Sequence, residues 1–79
     1  MELIGIKDGN FTDKNTGVVI DFLHLHVADE DKNVVGRAVD ILKVKSEKRD
    51  YIKSLGLEPG DEIKVMYDKF GKVDDVLKV

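Results

Sequence analysis

The sequence predicts a mainly β single domain with one short helix, three strands before it and two after, closing into a small five-stranded barrel. Three observations carry this. Short runs of β-branched and apolar residues alternate with polar ones between Gly, Asn and Asp turns, one well-delimited helical segment stands at Ser46 to Leu55, and no repeat, linker or cysteine divides residues 1–79. A chain of this length, 42% hydrophobic, supports one core and buries only about 60% of the surface its unfolded form exposes. A large internal active-site cavity is not expected.

Leu3, Ile4 and Ile6 begin a short first strand, and Asp8-Gly9-Asn10 and Thr12 to Gly17 supply turn residues on either side of Phe11. Val18 to Ala28 is the longest strand signal. Alternation puts Val19, Leu23, Leu25 and Val27 on one face with Asp21, and Val18, Ile20, Phe22, His24, His26 and Ala28 on the other. The first set reads as core and the second as a partly exposed face. The polar stretch Asp29 to Asn33 joins this strand to a third, Val34 to Val44, whose apolar alternation changes phase. A bulge near Asp40, or a bend at Gly36, would reconcile the two phases.

Ser46 is placed to cap the helix, with Tyr51, Ile52 and Leu55 as its apolar stripe. Gly56 then takes the left-handed position that ends it, with Leu57 as the apolar contact and Pro59 beyond. A helix this short is marginal alone and must be held by packing, as the plug of the barrel. Ile63, Val65 and Tyr67 mark a fourth strand, and Val73, Leu77 and Val79 one face of a fifth. Phe11 and Tyr67 are expected in the core.

The order β-β-β-α-β-β is that of an OB-like barrel, whose sheet face commonly holds single-stranded nucleic acid or oligosaccharide. The layout, the long irregular hairpin of strands two and three, and the aromatics near strand ends resemble OB-fold single-stranded DNA-binding proteins, including the small dimeric type of filamentous phages. The likeness spans the chain at the level of topology and transfers no binding residue. More locally, Leu55-Gly56-Leu57-Glu58-Pro59-Gly60-Asp61-Glu62-Ile63-Lys64-Val65 resembles the helix-to-strand corner of swapped-hairpin transcription regulators of the AbrB and MazE kind. Those are built around a basic N-terminal strand and a proline-led helix, neither of which residues 1–45 provide.

Thirteen Lys and Arg stand against 16 Asp and Glu, a formal net of −3, which argues against coating nucleic acid by bulk electrostatics. Residues 1–40 carry eight acids and four bases, net −4, whereas 43–53 carry five bases and two acids, net +3. That basic island, Lys43, Lys45, Lys48 and Arg49, joined by Arg37, is positioned to track a backbone. Phe22 and Phe70 are the stacking candidates. His24 and His26, at i and i+2 on one strand face, offer phosphate or base contact and titrate near neutrality. They could also ligate a metal, but a closed site needs two further ligands, for example Asp40 or Asp21, and without cysteine no metal is assigned. Asp29-x-Asp31-x-Asn33 imitates part of a calcium loop, but Val34 stands where that loop needs glycine.

No nucleophile triad is apparent, and no carboxylate pair stands in an apolar context that would raise a pKa, so no catalytic residue and no cofactor are expected. The absence of cysteine, of a basic apolar leader and of any apolar run near the roughly 18 residues of a membrane span suggests a cytoplasmic protein. The expected function is non-catalytic binding of single-stranded nucleic acid through the face of strands two and three, with a homodimer along the edge of their hairpin. A protein-interaction module is the competing class, favoured by the negative net charge.

Overall fold

The computed structural model describes all 79 residues. Five strands form two antiparallel sheets: β1 (Glu2–Thr12), β2 (Val19–Asp29) and β3 (Ala38–Lys43) in the order β1-β2-β3, and β4 (Ile63–Tyr67) with β5 (Val73–Lys78). Between β3 and β4 a 3-10 turn (Ser46–Lys48) runs directly into α1 (Arg49–Ser54). The fold is mainly β with one short helix, as the sequence predicts. The sheets meet along two short seams and are not closed into one continuous barrel. At one seam Glu2 lies antiparallel to Glu62, and the Leu3 amide donates to the Asp61 carbonyl at 2.9 Å. At the other Val44 lies parallel to Val73, and the Lys45 amide donates to the Val73 carbonyl at 3.0 Å.

Ten residues are buried, and all ten are apolar. Leu3, Leu23, Leu25 and Val27 come from the three-stranded sheet, Ile63, Val73 and Val76 from the two-stranded one, and Ile52 from the helix, which lies between them. The β2 alternation holds in the middle of the strand, where Leu23, Leu25 and Val27 face the core and Phe22, His24 and His26 lie half-exposed on the opposite face, and fails at its ends, where Val19 is exposed and Ala28 is buried.

Several local expectations are corrected. β1 runs unbroken through Asp8-Gly9-Asn10, because the bulge sits earlier, between Leu3 and Gly5. The extra residue, Ile4, flips the pleat so that Leu3 and Ile6 both pair with core-facing positions of β2. β3 begins only at Ala38, since Val34 to Gly36 form bends in the connecting loop, and its register against β2 is regular, with no bulge near Asp40. The change of phase has a simpler cause: only the even residues Leu42 and Val44 pack inward, while Val39 and Ile41 lie in water. Phe11 and Tyr67 are exposed on the surface rather than in the core. In β5 the buried pair is Val73 and Val76, because a register shift after Met66 changes the facing partner, so Leu77 and Val79 point outward.

The helix stop is as expected. Gly56 has φ +68°, a left-handed conformation that glycine adopts without steric cost. Leu57 packs against the core. The helix start is not. Ser46 lies inside the first tight turn, closed by the Lys48 amide on the Lys45 carbonyl at 2.9 Å, and no side chain caps it. Lys45 occupies the N-cap position instead, and its ammonium side chain cannot accept a hydrogen bond from a free amide. No helix is long and apolar enough to cross a membrane.

Candidate functional site

β2 is the spine of the site. β3 accompanies it only as far as the pair His24 and Lys43, after which the Val44 amide donates to the Leu23 carbonyl at 3.0 Å. From Ile20 to Phe22 the β2 edge on that side is unpaired, and a groove of about 380 Å³ opens beside it. Phe11, Ile20, Phe22 and His24 line one wall, Lys43 and Ser46 the end, and Lys72 reaches in from the β4–β5 turn.

The aromatic groups form a row. The rings of Phe11 and Phe22 have centroids 6.3 Å apart, and those of Phe22 and His24 4.8 Å apart, both pairs tilted. Such offsets are the favourable ones for rings whose faces are negative and edges positive. The row is seated by glycine on the neighbouring strand. Phe22 lies over Gly9 so closely that a Cβ there would stand 2.8 Å from its Cζ, and the His26 ring covers Gly5. Gly9, which sequence suggests as a turn residue, is thus the floor on which the Phe22 ring lies.

Electrostatically the groove is opposite in sign to the chain. Lys43 and Lys72 line the groove against a single acid, Asp21, and Lys7 stands beside it over the Phe22 ring, its Nζ 6.0 Å from the centroid. None of these three lysines takes part in any of the seven ion pairs of the protein. Partial burial pushes the His24 imidazole below its ordinary range, and the charges of Lys43, Lys7 and His26 push in the same direction.

The other basic residues named from sequence are dispersed. Arg37, in the loop before β3, pairs with Glu2 and donates to the Ala28 carbonyl at 3.3 Å. Arg49 is held beneath the sheet by Asp8 and Asp50, and Lys53 joins Asp8 at 2.6 Å. Those hydrogen bonds, first from Lys53 and then from Arg49, hold the Asp8 carboxyl below the usual carboxylate range. Lys48 lies over the Tyr51 ring, and Lys45 faces Asp68 at 3.9 Å. Only Lys43 of the basic island enters the groove. Phe70 is 76% exposed at the tip of the turn that supplies Lys72. Sequence reasoning misses Phe11, Lys7 and Lys72. The first two carry a legible signal in hindsight, since they alternate with Gly5 and Gly9 on one face of β1.

The β2–β3 loop uses its acids on its own backbone: Asp29 accepts from the Glu30 amide and Asp31 from the Asn33 amide. No group of three or more histidine, cysteine, aspartate or glutamate side chains is brought together in the fold. No family model, no curated protein and no solved structure matches the chain.

Proposed function

We propose that this protein is a non-catalytic, cytoplasmic domain of OB-like design that binds single-stranded nucleic acid in the groove beside β2. The observation that carries the reading is the row Phe11, Phe22 and His24 flanked by three lysines that belong to none of the ion pairs. Aromatic faces accept any unpaired base, worth about 1–3 kcal/mol per stacked base, while unpartnered lysines attract phosphates. The strand neighbours give further support. Two isolated bridges link the sheets so that the strands follow the sequence of neighbours β1-β2-β3-β5-β4, with Val44, just past β3, parallel to Val73 of β5, the order an OB-like barrel would have if closed.

Fluorescence anisotropy of labelled oligo-dT and of a matched duplex, at two salt concentrations, tests this. Single strands are expected to bind more tightly than duplex, because only unpaired bases stack. Three or four phosphate contacts at about −0.7 each give a log-log salt slope of about −2 to −3. Phe22→Ala weakens binding at every salt concentration, and Lys43→Ala weakens it most at low salt and flattens the slope. Absence of binding at low ionic strength, with tens of micromolar protein, rejects the reading, because screening is weakest there. The interaction-module alternative then stands on Val35, Val39 and Ile41, which face water along the β2–β3 arm. That same strip is the surface a homodimer would cover.

A further inference from the structure

Lys7 of β1, His24 of β2 and Lys43 of β3 are direct cross-strand neighbours, so three nitrogen-bearing side chains form one rung across the outward face of the sheet. Opposed side chains on antiparallel strands stand about 4.5–5.5 Å apart at Cβ, and like charges so placed repel. Elsewhere the protein neutralises its close cations: Arg37 with Glu2, Arg49 with Asp8 and Asp50, Lys53 with Asp8, Lys78 with Asp61. On this rung it does not. The groups facing His24 are Lys7 on one side, Lys43 on the other, His26 along its own strand, and Lys72 and Asp21 in the groove, with Phe22 packed against its ring.

We infer that the Lys7–His24–Lys43 rung is a phosphate-binding site whose imidazole gains protonation as the anion binds. The inference rests on the groove reading only for the source of the phosphate, a phosphodiester of a bound strand or a free phosphate ion. With the site empty, burial and the two flanking lysines favour the neutral form of His24. A phosphate oxygen between the lysines reverses the sign of the local field, so the charged imidazole becomes the favoured form and donates an N–H to the anion. By linkage, a group whose pKa rises on binding makes binding tighter as pH falls between its bound and free values.

The test follows the imidazole resonances of His24 and His26 by NMR through a pH titration of the whole protein, alone, with inorganic phosphate, and with oligo-dT, whose phosphodiesters and thymines do not titrate between pH 5.5 and 8. The pKa of His24 is expected to rise by about one unit or more with ligand. Oligo-dT affinity then increases about tenfold from pH 7.5 to 5.5, and His24→Gln abolishes that increase. A rise with oligo-dT supports the site with a strand as its source. A rise with inorganic phosphate while oligo-dT fails to bind supports the site and overturns the single-strand reading. Oligo-dT binding that leaves His24 unmoved overturns the rung as a phosphate site and leaves that reading in place. If neither ligand moves His24, the inference is wrong.

Discussion

Gly9 and Phe22 show how one missing side chain positions another. Because the far end of the Phe22 ring stands 2.8 Å from where a Cβ of residue 9 would be, only glycine there leaves the ring its place over β1 and beside His24. Gly9→Ala is expected to lift the ring and weaken oligo-dT binding several-fold, with the thermal midpoint lowered only modestly, since Phe22 is half-exposed. Anisotropy and a melting curve on the same sample separate the two effects. Gly56 differs, because nothing lies within 4 Å of a Cβ built there and the constraint is its positive φ alone. Gly56→Val should cost about 1–3 kcal/mol from backbone strain, measured by urea denaturation. An unchanged midpoint would remove the role assigned to this residue.

At the scale of elements, the helix is six residues long after its 3-10 turn and cannot stand alone. Ile52 anchors it in the core, and Arg49 and Lys53, one turn apart, both grip Asp8 on β1. The folded-state pKa of Asp8 is lower than its unfolded value near 3.8, so the stabilisation is full above that value and is lost as pH falls through the folded pKa. Asp8→Asn should therefore lower stability at pH 6 and reduce the steepness of acid unfolding below about pH 4, with faster amide exchange in α1. A wild-type acid limb in the variant would show that the clamp contributes nothing. Asp68 belongs to the same class: the amides of Lys72 and Phe70 donate to it at 2.9 Å and pull its pKa down. It shapes the turn that brings Lys72 to the groove.

For the whole molecule, the division into two sheets conceals a shared core, in which Leu3, Leu23 and Leu25 of one sheet meet Ile63, Val73 and Val76 of the other across Ile52. Neither sheet has enough buried apolar surface to persist alone. Unfolding followed by far-ultraviolet circular dichroism and by the fluorescence of Tyr51 and Tyr67 is expected to give coincident transitions. Separate midpoints would show that the β4–β5 sheet melts independently. The free protein should also lose stability as pH falls below about 6.5, because His24 has a depressed folded pKa and the unfolded chain binds its proton first.

Much of this was determined by local sequence: the β-rich class and order of elements, the helix and its glycine stop, and the core face of β2 all follow from alternation and turn chemistry, which act over a few residues. What failed locally also failed for a physical reason. A one-residue bulge at Ile4 and a register shift after Met66 flip every later side chain, and neither leaves a mark in composition. Of the groove, Phe22, His24 and Lys43 were legible because they share an alternating face or a charge run. Lys7 and Phe11 left only the faint mark of alternating with Gly5 and Gly9, and Lys72 left none, because its place depends on a turn some thirty residues away from Lys43 in sequence. The charge run could not decide whether its bases share one face. Only tertiary structure decided that Asp8 of β1 neutralises Arg49 and Lys53 while Lys7, Lys43 and Lys72 stay outside the ion pairs, since the field at a side chain is set by what folding brings near it and not by what precedes it in the chain.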